Sequence, residues 1–445
     1  MTCLKILKCN NSVIFQGEAG CGKTSLILYL AKLNNKNIAT FNLNGGIHSI
    51  EIIEWLNKQI HVAVNEKKDQ EHWIFLDEIN TTPSDDLLKE VFCDRKLNGK
   101  EIPTNLKIIG ACNPLRNKIK NEEEINNEMC GIKSKFIVNL SRIQTMQFIV
   151  YPLHPSMELL CINFGSLNKV DEEIIIGKKI EELNLSCKQQ VAKILQKIHN
   201  FYKEKKYELS AVSLRNITRF IFLYRYFSND KFQRFNRLKE DYELDVKEHN
   251  QFPNYDSNKK AFLDFKSDET KAIITCILIC YYFMLNNMKD RTEVLKLIAE
   301  EFGYNEELIK NMVTYQMENL SLQFFQSIQK SKNSIYSIKL KNDLIVFNQA
   351  LVENIFISFS CIQCHIPCII CGKPGSSKTL SISIILDCLK GEDSFHDYFK
   401  NFKPVHRIYF QGSLLTKSES VLRMVAKAEN YSKSNPNVEV VIFFD

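Results

Sequence analysis

Short apolar runs that end in polar residues organise the first part of the chain. Trp73 to Leu76 ends in two acids, Leu106 to Cys112 ends in Asn113, and Asn11 to Gln16 leads into a glycine-rich loop. Runs of this length bounded by polar and turn residues are typical of strands buried in a parallel sheet. They predict an α/β fold around a five-stranded parallel sheet. The predicted strands are Asn11–Gln16, Asn37–Leu43, Trp73–Leu76, Leu106–Cys112 and Gln147–Tyr151.

The middle of the chain changes to helical periodicity, from about Met157 to Lys330. Its longest apolar run, Ala272 to Leu285, is shorter than the roughly 20 residues that a membrane span needs, so we predict a buried helix and no transmembrane segment. An amphipathic helix is predicted at Leu344–Phe359. The strands predicted after it are Ile366–Cys371, Val405–Gln411 and Val438–Asp445.

The glycine-rich loop after the first strand has the pattern G-x4-G-K-T and is followed by a predicted helix at Ser25–Leu33. In that context, glycine lets backbone N–H groups close around phosphate oxygens, and the helix N-terminus favours negative charge. Lys23 is predicted to reach the β- and γ-phosphates and Thr24 to ligate Mg²⁺. The loop therefore predicts an ATP site. Its predicted nucleotide-binding residues are Gly17, Gly20, Gly22, Lys23 and Thr24.

The polar strand ends complete this predicted site. Asp77 is expected to hold the magnesium shell through water, and Glu78 to orient or deprotonate the attacking water. Asn113 is expected to hydrogen-bond that water or the γ-phosphate. The alternative interpretation of Asp77 and Glu78 is a solvated acidic turn.

Two arginines are weaker candidates for the same site. Arg215, in Ser213-Leu214-Arg215, lies at the start of a predicted helix in a C-terminal lid. From there an arginine can contact the γ-phosphate and couple the angle of the lid to the nucleotide state, although a surface arginine is the alternative. Arg142 is the best candidate by position for an arginine finger.

A second loop of the same kind extends from Gly372 to Thr379, with Ser377 in place of the glycine before the lysine. The remaining N–H groups and the helix dipole still favour phosphate. We interpret this part as the first half of a second module, since its Asp-bearing strand is the last element of the sequence. Its predicted nucleotide-binding residues are Gly372, Gly375, Lys378, Thr379 and Asp445, with Thr379 as a magnesium ligand. The predicted domains are residues 1–152, 153–340 and 341–445.

Composition limits the partners. Lys+Arg 58 against Asp+Glu 52 gives a net charge of +6 without a basic stripe, which argues against nucleic acid. Lys5 and Lys8 interrupt the first apolar stretch, so no signal peptide is predicted and the 15 cysteines indicate reduced thiols in the cytosol.

The C-x2-C-x3-C-x2-C spacing of Cys361, Cys364, Cys368 and Cys371 resembles a metal site. The favoured alternative places the last two in the strand that precedes the second loop.

Taken together, these motifs resemble the tandem ATPase units in the dynein-like core of the mysterin family of giant ring-finger E3 ubiquitin ligases. The resemblance covers nearly the whole chain. It rests on Gly17–Thr24, Phe75–Glu78 with Asn80–Thr82, Lys89–Asp94, Ile109–Pro114 with Arg116, Tyr151–Pro155, Phe164–Leu167, Val212–Arg215 and Gly372–Lys378.

The resemblance implies a six-unit AAA+ ring on one longer chain, in which this pair of modules binds and hydrolyses Mg²⁺-ATP next to neighbouring AAA+ modules. It also implies ubiquitin and a ubiquitin-conjugating enzyme as partners of a separate zinc-binding ligase module outside this chain, and a cytoplasmic protein associated with lipid droplets. The alternatives are a nucleotide-gated scaffold that does not hydrolyse ATP, a midasin-like or other dynein-related remodelling ATPase or a restriction-type nucleotidase, and a truncated gene copy or incomplete gene model.

Overall fold

The computed structural model of the chain describes residues 11–18, 20–66, 70–114, 150–165, 168–205, 212–228, 246–265, 267–331, 336, 345–413, 416 and 418–445. They divide into two compact units, Met1–Asn168 and Lys169–Asp445, and each is described by itself. The predicted division at residues 152 and 340 stays a prediction.

The first unit is built on a parallel sheet of five strands in the order β2-β3-β6-β1-β7, which confirms the predicted fold class. Side chains on the two faces of this sheet enter different apolar clusters, so the central strands are apolar at nearly every position. The strands are β1 (Val13–Gly17), β2 (Ile38–Asn42), β3 (His72–Asp77), β6 (Leu106–Cys112) and β7 (Cys161–Gly165), with a short hairpin of β4 (Lys96–Leu97) and β5 (Lys100–Glu101) between β3 and β6.

The predicted fifth strand at Gln147–Tyr151 is wrong. Residues 147–149 lie outside the described part, and Val150 and Tyr151 are not in a strand. The position beside β1 belongs to β7, where Ile162 is opposite Phe15. The strand β7 lies at the edge of the sheet and alternates between half-buried and exposed residues, so it lacks the continuous apolar run that made the central strands recognisable.

The helices of the first unit follow its strands. The loop helix α1 begins directly after Gly22, and a 3₁₀ turn at Ile79–Thr81 follows β3. The helices are α1 (Lys23–Leu33), α2 (Ser49–His61), α3 (Asp85–Phe92) and α4 (Pro155–Glu158), and Val62–Glu66 continues α2 as a π-helical turn.

The second unit begins with helices that share one apolar core. The predicted buried helix is confirmed, because every residue from Lys271 to Cys280 is buried. In the described residues, no helix is both long and apolar enough to cross a membrane. The helices are α5 (Lys169–Glu181), α6 (Lys188–Glu204), α7 (Leu214–Phe227), α8 (Val246–Gln251), α9 (Tyr255–Asp264), α10 (Asp268–Cys280), α11 (Met288–Phe302) and α12 (Glu306–Lys330).

The same core continues into the last part of the chain, where the predicted helix and two of the predicted strands are present. The strands β8 (Val405–Phe410) and β9 (Glu439–Phe444) pair in parallel, in register from Val405 and Glu439 to Phe410 and Phe444. The helices are α13 (Gln349–Gln363), α14 (Lys378–Cys388), α15 (Asp397–Lys400) and α16 (Ser418–Ser434).

The predicted strand at Ile366–Cys371 is wrong. These residues are extended without strand pairing, and Ile369 is 89% exposed. In the first unit the corresponding strand β1 is held by β6 on one side and by β7 on the other. Among the described residues of the second unit, only β8 and β9 form a sheet, so this segment has neither neighbour.

Candidate nucleotide site

The first glycine-rich loop connects β1 to α1 through backbone conformations that favour glycine. Gly22 has φ 93° and caps α1. A Cβ at Gly17 would lie 2.9 Å from the Cβ of Phe164 on β7, too close for any side chain. The Glu18 N–H donates to the carbonyl of Gly165 (3.1 Å), which fixes the loop to the edge strand. The predicted loop glycines, including Gly20 at φ 77°, are thus required by the geometry.

Lys23 is buried beneath this loop, with 8% of the residue exposed. Its Nζ donates to the carbonyls of Gly17 (2.6 Å) and Glu18 (3.0 Å) and to Oδ1 of Asn113 (3.1 Å). The ammonium group has three protons, and these contacts use all of them. A phosphate oxygen forms a stronger, charge-assisted hydrogen bond than a carbonyl does, so it can exchange with the loop carbonyls. The structure therefore brings together Lys23 and Asn113, which the sequence predicted at the same site.

Thr24 and Asp77 meet at the same edge of the sheet. The Thr24 hydroxyl donates to Oδ2 of Asp77 (2.8 Å), and the other carboxylate oxygen of Asp77 accepts the Glu78 N–H (3.0 Å). A hydroxyl and a carboxylate side by side are oxygen donors of the kind that Mg²⁺ prefers. The residues present therefore fit the ion that this type of fold uses.

Glu78 has a left-handed backbone, with φ 55° and ψ 41°. This conformation costs a residue other than glycine roughly 1–2 kcal/mol. Its carbonyl accepts both the hydroxyl (2.8 Å) and the N–H (3.0 Å) of Thr81, which hold the turn in place. The side chain of Glu78 is exposed at the end of β3, where a water molecule can reach it.

Asn80 is a residue of this region to which the sequence assigned no role. Its side-chain amide donates to the carbonyl of Asn113 (2.7 Å), and its Oδ1 accepts the Asn113 N–H (3.3 Å). The one available signal was a polar residue that follows an apolar strand and two acids.

The thiol of Cys112, next to Asn113, is a poor nucleophile. A hydrogen bond with the Cys161 thiol, together with burial, raises the pKa of Cys112 far above its ordinary value. Because the thiolate is the reactive form, the Cys112 thiol is unreactive at neutral pH.

The described structure does not test the roles of the two arginine candidates. Arg215 is exposed in the first turn of α7, where its N–H donates to the Ser213 hydroxyl (3.3 Å), and it belongs to the second unit. Its role stays a prediction. Arg142 lies outside the described residues.

The second loop repeats the lysine geometry of the first. Lys378 Nζ donates to the carbonyls of Gly372 (2.7 Å) and Lys373 (2.9 Å). The Thr379 hydroxyl donates to Oδ1 of Asp445 (3.4 Å), a longer contact than that of the first site. The phenol of Tyr409 donates to the other carboxylate oxygen of Asp445 (3.0 Å). The predicted residues of the second site therefore also lie close together, on a loop whose turn is made by Gly375 at φ 81°.

The four cysteines do not converge on one site. The thiols of Cys361, buried at the end of α13, and Cys368 are hydrogen-bonded to each other. Cys371 is exposed immediately before the second loop. Over the described residues, no group of three or more His, Cys, Asp or Glu side chains is placed to hold a metal ion.

Family models and full-length relatives both relate this chain to RNF213. Two family models described as RNF213 AAA domains match residues 2–116 and 344–445. The chain is 28% identical over 452 residues to E3 ubiquitin-protein ligase rnf213-beta of Danio rerio, covering 96% of this chain and 8% of that protein. It is 27% identical over 466 residues to E3 ubiquitin-protein ligase RNF213 of Homo sapiens, covering 98% and 8%.

A likeness to a solved structure is much weaker. A mutant of the RuvB protein of Thermotoga maritima has a TM-score of 0.31 and 12% identity, covering 73% of this chain and 86% of that one. A TM-score this low supports no conclusion about function.

The matches to RNF213, which is also called mysterin, confirm the resemblance predicted from the motifs. The chain spans about 8% of the length of the curated relatives it matches. Their names describe E3 ubiquitin ligases, and the matched segments are their AAA domains. The chain is therefore similar to a segment of RNF213, with two stretches that match RNF213 AAA domains, and it has the α/β fold of an AAA+ ATPase.

Proposed function

We propose that the first unit binds and hydrolyses Mg²⁺-ATP at the edge of its sheet. The observation that supports this most directly is the meeting of two hydrogen-bonded pairs there, Lys23 with Asn113 and Thr24 with Asp77. One pair offers a cation and an amide to a phosphate group, and the other offers a hydroxyl and a carboxylate to a divalent cation.

Each residue has a separate task in the proposed reaction. Lys23 and the loop N–H groups bind the phosphates, and Thr24 and Asp77 hold the metal shell. Mg²⁺, when bound, would supply positive charge to the phosphate oxygens. Glu78 orients the attacking water and accepts its proton at the carboxylate, while Asn113 hydrogen-bonds the water or the γ-phosphate.

The test is a pair of substitutions that separate binding from hydrolysis. Lys23→Ala is expected to abolish nucleotide binding at the first loop, because the buried ammonium supplies the positive charge that meets the phosphates. Glu78→Gln is expected to keep ATP affinity and to lower turnover by about 100-fold or more, because the phosphate cradle is intact and the base is lost. The measurements are titration with ATP and steady-state release of phosphate.

A control is available in the same unit. Glu90→Gln alters a half-buried glutamate of α3 that accepts the Gly99 N–H (2.7 Å), and it should leave both readouts near wild type. Turnover that persists in Glu78→Gln would show that Glu78 takes no part in hydrolysis. Wild-type protein that binds ATP without Glu78-dependent turnover would favour the non-hydrolysing scaffold.

For the longer protein, we infer that this chain is part of the motor core of an RNF213-like E3 ubiquitin ligase. The relatives' names support the ligase context, and the neighbouring AAA+ modules, ubiquitin and a ubiquitin-conjugating enzyme would be its partners. Arg215 as a lid sensor, nucleotide binding at Gly372, Lys378 and Asp445, and a cytoplasmic location belong to the same proposal.

A further inference from the structure

A pair of opposed hydrogen bonds joins Asn80 to the backbone of Asn113. The side-chain amide of Asn80 donates to the Asn113 carbonyl (2.7 Å), and its carbonyl oxygen accepts the Asn113 N–H (3.3 Å). The two residues are 33 positions apart in sequence. A single side chain thus pairs with both the backbone N–H and the backbone carbonyl of Asn113 at the tip of β6.

This pair is shielded from water, with Asn80 4% and Asn113 9% exposed. The backbone of Asn80 is also held, because its carbonyl accepts the Tyr151 N–H (2.7 Å). Asn113 has no strand partner at this point, since the pairing of β6 with β1 ends at Cys112 and Gln16. Among the described contacts, the backbone of Asn113 is therefore held by Asn80 and not by strand pairing.

The other end of Asn113 faces the loop lysine. Its Oδ1 accepts from Lys23 Nζ (3.1 Å), so a rotation of the Asn113 backbone would move the amide that meets the phosphate side of the site. Asn80 also follows Glu78 by two residues in the turn after β3. Asn80 therefore links the turn that carries Glu78, the base of the proposed reaction, to Asn113.

We propose that Asn80 is a positioning residue that fixes Asn113 for catalysis and does not itself contact the substrate. The proposal rests on the proposed ATP hydrolysis at this site and deepens it. If Asn113 is displaced by even about 1 Å, a catalytic step can slow by about 100-fold. Nucleotide affinity depends mainly on Lys23 and the loop, so it should change little.

The first experiment compares Asn80→Ala with Asn105→Ala in the full chain. Asn105 is a matched control, because its side-chain amide also clamps a backbone carbonyl, that of Ala63 (2.8 Å), but at the opposite end of the same strand. We expect Asn80→Ala to lower kcat by about 10- to 100-fold while ADP affinity stays within about threefold. Asn105→Ala should match wild type in both.

A double-mutant cycle with Asn113→Ala separates positioning from a direct role. If Asn80 acts through Asn113, adding Asn80→Ala to Asn113→Ala should cost less than about twofold further in kcat. Losses that multiply in the double variant would overturn the proposal, as would an Asn80→Ala variant with the turnover of Asn105→Ala.

Hydrogen exchange of the Asn113 amide gives a readout that does not require turnover. This N–H should exchange at least about tenfold faster in Asn80→Ala than in wild type, because its acceptor is removed, and should be unchanged in Asn105→Ala. Unaltered exchange in Asn80→Ala would overturn the positioning role. Wild-type protein without Lys23-dependent turnover would instead refute the proposed function, and the exchange result would still decide whether Asn80 holds Asn113.

Discussion

At the scale of single residues, the position before the lysine distinguishes the two glycine-rich loops. Its left-handed backbone is strained in one loop and not in the other. Gly22 and Ser377 occupy the same place before the loop lysine, with φ 93° and φ 59°. The left-handed region is open to glycine and costs other residues roughly 1–2 kcal/mol. The second loop therefore adopts the conformation of the first despite its side chain, and strain is stored there.

We expect Ser377→Gly to stabilise the second unit by about 1 kcal/mol, because it removes that strain without altering the loop lysine. Ser381→Gly is the control, in the helix α14 that follows the loop. Its backbone is helical and its hydroxyl donates to the Lys378 carbonyl (2.7 Å), so glycine there should destabilise by about 1 kcal/mol or more. Denaturant unfolding would measure both. A loss of stability in Ser377→Gly would mean that the serine side chain stabilises the loop.

The residues of the candidate site could be predicted from the sequence only where a motif of consecutive residues identifies them. Lys23 and Thr24 follow from the loop pattern, and Asp77 follows from the apolar strand that it ends. In the structure the Thr24 hydroxyl donates to Asp77. The left-handed backbone of Glu78 and the contact between Asn80 and Asn113 could not be predicted. Both depend on a turn whose partners are distant in sequence, and no spacing encodes them.

At the scale of elements, the two errors in the predicted strands have one physical cause. An apolar segment becomes a strand only if neighbouring strands accept its hydrogen bonds. Ile366–Cys371 has a suitable composition but no such neighbours in the described structure, whereas β7, with a mixed composition, is held beside β1. Composition therefore located the central strands and failed at the edge strand and at the unpaired segment.

A buried ionic network ties three helices of the second unit to one another. His199 of α6 hydrogen-bonds Glu172 of α5 through Nδ1 (2.8 Å) and the phenol of Tyr281, just after α10, through Nε2 (2.9 Å). Lys203 also donates to Glu172. Burial raises the pKa of the Glu172 carboxyl, but the hydrogen bonds from His199 and Lys203 outweigh it, and the pKa falls below its ordinary value of 4.5.

We expect Glu172→Gln to destabilise the second unit by about 1–3 kcal/mol at pH 7, because a charge-assisted network loses its anion. A lowered pKa in the folded state gives stability that is present above the unfolded pKa and is lost as pH falls through the folded pKa. The difference between wild type and Glu172→Gln should therefore shrink below about pH 4.5. Urea unfolding at several pH values would measure it, with Glu173→Gln, the exposed neighbour, as the control. A difference that is constant with pH would contradict the ionic role.

At the scale of the whole molecule, the second unit joins two predicted domains through one core. The apolar cluster extends without a break from Ile176 on α5 to Phe399 on α15. Its aromatic centre is Phe324 of α12, whose ring lies 4.5 Å from that of Phe399 and 5.7 Å from that of Phe359 on α13. The predicted boundary at residue 340 divides this cluster, since composition and motifs mark where a pattern changes and not which side chains pack together.

We therefore expect residues 169–445 to unfold as one cooperative unit. Phe324→Ala should cost about 3–5 kcal/mol, because it leaves a cavity beside the rings of Phe359 and Phe399. The destabilisation should appear both in α6 and in α14, as faster amide exchange in peptides from each helix. Phe222→Ala, on the exposed side of α7 with 46% of the residue accessible, is the matched control and should change neither. Faster exchange confined to one side of residue 340 would show instead that the helical part and the second α/β part are separate folding units. In that case, a change at the second loop would have no packed path to the helices α5 to α12.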